Sequence, residues 1–248
     1  SGTDIARETA DMIIVDDNFK SIVAGIKEGR VAYANIRKII LFLISCGLAE
    51  VIFFCLSIML DMPMPLVAIQ LLWINVVTDG IQDFALSFEK AEKGILKEKP
   101  RDPKESIFNK KLLKEILVSG LVIGGVVFAV WYILLNKFNM EVSMARGYIM
   151  ALMVFIQNIH VFNCRSEHKS AFSVPIKNNW LIVGGVVVSI ILQIIVMEVP
   201  FLSKFLQTTS VPFIHLIYLF LIALIVLVVM EIYKKLNNSI KKDNILHG

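Results

Sequence analysis

Long hydrophobic stretches constrain this chain more than any other feature. An α-helix of about 20 apolar residues crosses the roughly 30 Å hydrocarbon core of a bilayer, and lipid offers no water to satisfy an irregular backbone. With 56% hydrophobic and 19% charged residues, the composition excludes an ordinary soluble domain. We therefore predict an all-α polytopic membrane protein with six transmembrane helices. The six predicted spans are residues 39–60, 66–88, 116–135, 148–162, 180–197 and 213–233.

The segment 1–36 is polar enough to lie outside the membrane. The run MIIVDD at 12–17 predicts a short strand followed by a turn at Asp17 and Asn18. From Phe19 onward, apolar residues recur at helical spacing with charged residues between them. We expect this amphipathic helix to continue into the first span, because no proline interrupts it.

The distribution of basic residues predicts the orientation. Lysine and arginine are concentrated in segments 1–36, 89–114 and 165–177 and after residue 233, whereas the alternate connections contain few. The positive-inside rule then places both ends of the chain in the cytoplasm. The net charge of +4 does not indicate nucleic-acid binding, since the basic residues lie between spans. The short loops favour a bacterial plasma membrane.

The three cysteines do not form a recognisable redox or metal motif. Cys46 and Cys55 lie inside the first span and Cys164 at the end of the fourth, without CxxC or disulfide-like spacing. We predict that all three are buried neutral thiols.

Acidic residues inside the second span are the strongest functional signal. A carboxylate near the bilayer centre costs about 2.5–3.5 kcal/mol on insertion scales. Asn75, Thr78 and Asp79 are spaced i, i+3 and i+4, which places three oxygen-bearing side chains on one helical face. Hard cations such as calcium need several oxygen ligands, and Gly80 permits local unwinding that exposes carbonyls. The pattern predicts cation coordination, with helix–helix hydrogen bonding as the alternative.

Two further spans contribute polar residues. Glu50 lies in the first span, which carries no basic residue to neutralise it, so it is either a cation ligand or a protonated structural residue. In the fourth span, Gln157, His160 and Asn163 form a stripe at helical spacing that we expect to face inward. Liganding and helix–helix hydrogen bonding are both open for this stripe.

Three segments resemble one protein family. The segment SGTDIARETADMIIVDDNFKSIVAGIKEGRVAYANIRKII resembles the end of the phosphorylation domain and the fifth-helix stalk of type II P-type ATPases. LISCGLAE followed by QLLWINVVTDG resembles the fifth and sixth membrane helices of calcium pumps, and KEKPRDPKESIF their following loop. The resemblance covers about residues 1–110. It divides the chain into an end of an α/β phosphorylation domain with its stalk (1–36), an ion-binding helix pair (37–90), a cytosolic loop (91–114), a four-helix membrane domain (115–235) and a cytosolic tail (236–248).

The resemblance implies a set of calcium ligands. Glu50 matches the fifth-helix ligand, and Asn75, Thr78 and Asp79 match the sixth-helix ligands. A liganding asparagine is replaced by Gly47, and an eighth-helix glutamate by Gln157. These departures imply one well-formed cation site. Gln157 would take the position of the eighth-helix glutamate, and further ligands would come from helices outside this chain.

Asp83 is an additional acid relative to the family. We consider a group at the cytoplasmic entrance for ions, a proton acceptor, and a simple interfacial charge.

The resemblance also implies what lies outside this chain. The phosphorylated aspartate of the family sits in DKTGT and its magnesium-binding acids in TGDGxND, and neither motif occurs here. ATP and Mg²⁺ would therefore bind to the missing N-terminal half of the same protein. The predicted function is the membrane module of an ATP-driven pump that exports Ca²⁺ in exchange for protons. The alternatives are a pump for Na⁺, Mn²⁺ or H⁺, and a non-enzymatic channel or scaffold.

Overall fold

The computed structural model is all-helical over the residues that it describes. It describes residues 2–16, 18–92, 94–97, 100, 106–167 and 169–246, with side chains up to residue 237. The helices are α1 (Asp4–Thr9), α2 (Phe19–Met59), α3 (Ala68–Val77), α4 (Asp79–Ser87), α5 (Lys110–Asn136), α6 (Val142–Cys164), α7 (Trp180–Glu198), α8 (Pro200–Phe205) and α9 (Phe213–Leu246), with short 3₁₀ turns at Ile95–Lys97, Ala171–Ser173 and Ile176–Asn178.

The predicted strand at the N-terminus is wrong. Residues 2–16 and 18–36 contain no strand, and the isolated helix α1 is followed by irregular backbone. Met12, Ile13 and Val15 are all exposed, so this run does not pack as a core strand, and a lone strand is not stable. Asp17, part of the predicted turn, lies outside the described residues. The Asp16 carboxylate accepts hydrogen bonds from Asn18 N (3.2 Å) and Ser21 Oγ (2.6 Å) and leads into α2.

Helix α2 is continuous through the predicted stalk and the first span. It begins after Asn18, whose side chain accepts a hydrogen bond from Lys20 N, and runs for 41 residues to Met59. At 1.5 Å per residue it is about 60 Å long, roughly twice the hydrocarbon thickness. About half of α2 therefore extends beyond one membrane surface, as the sequence predicts.

The second predicted span is two short helices rather than one. Helix α3 ends at Val77 and α4 begins at Asp79, with Thr78 between them. Within the described ranges, five helices are long and apolar enough to cross a membrane: α2, α5, α6, α7 and the first 25 residues of α9. The count of six spans stays a prediction, because neither α3 nor α4 is long enough alone.

Helix α6 occupies the centre of the bundle. Almost all of its residues are buried, whereas most of the apolar surface of α7 and α9 is exposed to the surroundings. Helix α5 packs closely along α2, where Gly120 and Gly124 lie against Leu48 and Ile52. The outer surfaces of α2, α7 and α9 therefore provide the lipid contact expected of a membrane bundle.

Helix α9 continues as far as Leu246, into the segment predicted as a cytosolic tail at 236–248, because no glycine or proline interrupts it; the location of the tail stays a prediction. One expectation about the cysteines differs from the structure. Cys46 and Cys164 are buried as predicted, but Cys55 is exposed on the outer face of α2.

Candidate cation-binding site

The candidate site begins at the break between α3 and α4. Thr78 N–H donates to the Ile74 carbonyl (2.9 Å), and the Thr78 carbonyl accepts from Gln82 N–H (2.8 Å). Between these bonds the helical register is interrupted, with Thr78 at φ −108° and ψ −68°. Asp79 is thus the first residue of α4, where the helix dipole favours negative charge.

A chain of side-chain contacts joins three helices at this break. The Thr78 hydroxyl lies within hydrogen-bonding distance of Gln157 Oε1, on α6. It also lies 3.5 Å from Asp79 Oδ1 and 2.7 Å from the Ile74 carbonyl. On the other side, Gln157 Nε2 donates to Glu50 Oε1 on α2 over 3.4 Å. The structure thus brings together Glu50, Gln157, Thr78 and Asp79.

The carboxylates of Glu50 and Asp79 have no cationic partner among the described residues. Thr78 and Gln157 are completely buried, and Glu50 and Asp79 are partly buried. Over the described part of the chain, no ion pair involves Glu50 or Asp79. An unpaired charge held away from water is costly unless an ion or a proton neutralises it. The arrangement is chemically suited to binding a cation between α2, α4 and α6.

Asn75 and Asp83 are placed differently from these four residues. Asn75 is exposed, whereas Thr78 is fully buried, so the two do not share one buried face in this structure. The break at Thr78 interrupts the regular helix on which the shared face was predicted. Asp83 is partly buried one turn beyond Asp79, and its Oδ1 atom has no hydrogen-bond partner. The ligand role of Asn75 and the role of Asp83 in ion entry or proton acceptance stay predictions.

The described residues supply only part of a coordination shell. They contain no group of three or more His, Cys, Asp or Glu side chains that could hold a metal ion. Beside the two carboxylates, the Thr78 hydroxyl and the Gln157 amide supply oxygen atoms to this group of contacts. Further ligands would have to come from groups other than these four side chains.

The polar stripe on α6 faces inward, as predicted. Gln157, His160 and Asn163 are all buried. His160 Nε2 lies 2.9 Å from Ser45 Oγ and 3.4 Å from Cys164 Sγ. These contacts fit the helix–helix hydrogen-bonding alternative for His160.

A second buried chain was not predicted from the sequence. Gln82 on α4 donates to Asn158 on α6, and Asn158 donates to Ser189 on α7. Asn158 directly follows Gln157. In the sequence, these hydrogen bonds were indicated only by the presence of amide side chains inside apolar spans.

An ionic cluster closes the end of the bundle at which α4 and α6 terminate. Arg165 pairs with Glu89 through two bonds of 2.8 and 3.0 Å, and both side chains are buried. Lys169 lies 2.8 Å from Glu92. Burial alone would raise the pKa of Glu92, but the hydrogen bonds from Lys169 and Ser166 outweigh it and lower that pKa. The cluster thus contains a buried pair and a partly exposed pair.

Lys234 links α9 to the same end of the bundle. Its Nζ donates to the carbonyls of Asn163 and Ser166 and lies 3.8 Å from Glu115. This ammonium group satisfies carbonyls at the C-terminal end of α6, which have no partner within the helix.

The fold and the site define the class of protein: an integral, multi-pass membrane protein with an intramembrane polar site. A family model described as "Cation transporting ATPase, C-terminus" matches residues 63–236. The chain belongs to this cation-transporting ATPase family, which confirms the resemblance to the C-terminal part of a type II P-type ATPase.

Curated relatives extend the similarity over most of the chain. A "Calcium-transporting ATPase" of Bacillus subtilis (strain 168) is 38% identical over 211 residues, covering 85% of this chain and 24% of the relative. "Calcium-transporting ATPase type 2C member 1" of Homo sapiens is 34% identical over 245 residues, covering 98% of this chain and 26% of the relative. The chain therefore spans about a quarter of the length of the relatives it matches.

Proposed function

We propose that this chain is the membrane module of an ATP-driven pump that exports Ca²⁺ from the cytoplasm in exchange for protons. One observation carries the proposal: Glu50 and Asp79, from different helices, are linked through Gln157 and Thr78, and neither has a cationic partner in the part of the chain that the structure describes. The relatives named as calcium-transporting ATPases support Ca²⁺ as the transported ion.

The transported ion would lie between α2, α4 and α6. Calcium takes about six to eight oxygen ligands in flexible geometry. The carboxylates of Glu50 and Asp79, the Thr78 hydroxyl and the Gln157 amide oxygen would supply part of this shell. Asn75 would join it after a rotation of α3, and segments outside this chain would complete it. Gln157 contributes no charge, so these residues favour a single divalent ion rather than two.

Asp83 is proposed to act before the ion reaches Asp79. It lies one turn further along α4, on the side of the ionic cluster, and one of its carboxylate oxygens has no hydrogen-bond partner. A carboxylate in this position would attract an entering cation or accept a departing proton.

Helix α2 is the proposed mechanical link to ATP hydrolysis. ATP and Mg²⁺ would bind to the parts of the pump outside this chain, where phosphoryl transfer needs its nucleophile and metal held together. Because α2 is continuous from Phe19 to Met59, a displacement of its N-terminal half would move Glu50 relative to Asp79. A rigid helix of this kind can switch the site between tight and loose states.

Proton counter-transport follows from the same carboxylates. Once the cation has left, Glu50 and Asp79 would face each other as partly buried anions. Protonation removes their repulsion, so the outward-facing state is expected to return protons. We further propose a bacterial plasma membrane as the location, with both ends of the chain in the cytoplasm, as the positive-inside rule indicates.

The test is ion-dependent ATPase activity of the full-length protein that contains this chain. Asp79→Asn should raise the Ca²⁺ concentration for half-maximal activity by at least about tenfold, because one lost carboxylate interaction of about 1.4 kcal/mol changes affinity by that factor. Assays in Mn²⁺, Na⁺ and varied pH distinguish the other candidate ions.

Asp61→Asn is the matched control. Asp61 lies in the turn after α2 at φ 49°, a conformation that asparagine also adopts readily, so this change removes a carboxylate away from the site. If Asp79→Asn left the Ca²⁺ dependence unaltered, the proposed site would be refuted. ATPase activity without any response to cations in the wild type would refute the pump itself.

A further inference from the structure

Helix α4 is separated from α3 by Thr78, where the regular helix is interrupted. Its nine residues begin directly after the break at Thr78. The position of Asp79, at the first residue of α4, therefore depends on what holds this short helix against its neighbours.

A buried hydrogen-bonded chain holds the middle of α4. Gln82 Nε2 donates to Asn158 Oδ1 over 2.8 Å. Asn158 Nδ2 in turn donates to Ser189 Oγ and to the Val154 carbonyl, each over 2.8 Å. Gln82, Asn158 and Ser189 are all completely buried, so no water competes for these bonds and their geometry is well determined.

Helix α7 packs against the Gln82 side chain of this hydrogen-bonded network. A Cβ atom added at Gly185 would lie 3.2 Å from both terminal atoms of Gln82 and 2.9 Å from Ile81. The backbone of α7 thus lies directly against the Gln82 amide, which restricts its movement.

We propose that Gln82, Asn158 and Ser189 form a positioning network for the cation site, an inference that rests on the proposed function. Gln82 lies between Asp79 and Asp83 on α4, and Asn158 is adjacent to Gln157 on α6. The bond between Gln82 and Asn158 therefore fixes the spacing of the two helices within about one turn of the contact between Thr78 and Gln157. None of the three residues needs to touch the ion; they set its affinity by holding Asp79 in place.

The first test is Asn158→Leu in the full-length protein, with Ca²⁺-dependent ATPase activity as the readout. This nearly isosteric change leaves Gln82 Nε2 buried without an acceptor and frees α4 from α6. We expect the Ca²⁺ concentration for half-maximal activity to rise about tenfold, which corresponds to about 1.4 kcal/mol. The maximal rate should stay within about twofold, because chemistry occurs outside this chain and the loss is in binding.

The double variant Gln82→Leu with Asn158→Leu separates positioning from stability. Replacing both partners of a buried hydrogen bond by apolar groups is nearly neutral for stability. The double variant should therefore unfold at a temperature close to that of the wild type and still bind Ca²⁺ weakly. If Asn158→Leu does not fold, this variant carries the test. Recovery of wild-type Ca²⁺ affinity in the double variant would overturn the proposal.

Gln193→Leu is the matched control. Gln193 is buried on α7 and accepts a hydrogen bond of 2.9 Å from Trp73 on α3, so its loss breaks a similar interhelical bond that does not involve α4. An equal affinity change in Gln193→Leu and Asn158→Leu would show a general loosening of the bundle and refute the network. If Asp79→Asn shifts the affinity and Asn158→Leu does not, only the network fails and the proposed function stands.

Discussion

The close packing of α5 against α2 gives a quantitative prediction for two adjacent glycines. A Cβ atom at Gly124 would lie 2.8 Å from the carbonyl oxygen of Ala49 and 2.9 Å from Ile52 Cγ2. A Cβ atom at Gly125 would meet nothing within 4 Å. Gly124→Ala and Gly125→Ala therefore make the same chemical change on the same helix, one at a contact and one in open space.

The difference in stability between the two variants depends on which of the contacting atoms can move. Ordinary contact begins near 3.4 Å, so the two helices must separate by about 0.6 Å (3.4 − 2.8) at Ala49. The carbonyl is backbone and cannot rotate away as a side chain would. Overpacking of this kind costs about 1–3 kcal/mol, whereas replacing glycine by alanine inside a helix gains about 0.5–1 kcal/mol. Gly125→Ala should stabilise slightly, and Gly124→Ala should be about 1–3 kcal/mol less stable than Gly125→Ala.

The assay is unfolding of the full-length protein in mixed detergent micelles, followed by Ca²⁺ titration of the ATPase activity. Because Ala49 precedes Glu50, the displaced α2 should also weaken Ca²⁺ binding in Gly124→Ala but not in Gly125→Ala. Equal stability of the two variants would refute the packing argument. Lower stability with unchanged Ca²⁺ affinity would show that Glu50 tolerates movement of α2.

Two further predictions concern the ionic cluster. Arg165→Met leaves the buried Glu89 carboxylate without its cation and should destabilise the fold by about 3–5 kcal/mol. Lys169→Met breaks a half-exposed pair and should cost less than about 1 kcal/mol. Equal losses of unfolding free energy in the two variants would contradict this ranking. The lowered pKa of Glu92 contributes stability that is present above its ordinary value of about 4.5 and is lost as the pH falls through the folded value. Lys169→Met should reduce this acid-dependent loss, and identical pH–stability curves for variant and wild type would show that the pair does not contribute.

The membrane helices were predictable because the bilayer imposes their length. Helices α5 and α7 contain the predicted spans with few extra residues at either end. The continuous helix through α2 was also predictable, since only a proline or glycine pair would have interrupted it. The predicted strand failed for a different reason: a strand needs partners, and local sequence does not show whether they are present.

The break at Thr78 was only partly predictable. Gly80 indicated that this helix could loosen, but the interruption falls two residues earlier, where the Thr78 hydroxyl lies within hydrogen-bonding distance of the Ile74 carbonyl and of Gln157 Oε1. That contact depends on the rotation of α6, which is set by packing rather than by the sequence near Thr78. The same applies to the hydrogen bond between Gln82 and Asn158, which depends on how α4 and α6 pack against each other.

Burial of an acid does not by itself separate ion-binding carboxylates from structural ones. Glu89 and Glu115 are more deeply buried than Glu50 and Asp79. Yet Glu89 pairs with Arg165, and Glu115 lies 3.8 Å from Lys234, cations from helices distant in the sequence.

Where the structure describes the chain, Glu50 and Asp79 have no such ion pair. A structural acid in lipid is neutralised permanently, by a counter-charge or by a proton, whereas a transport site must remain free to accept and release a cation. Over the described residues, the absence of an ion pair, more than the burial, therefore supports the proposal that Glu50 and Asp79 bind a cation, and it became visible only once the helices were assembled.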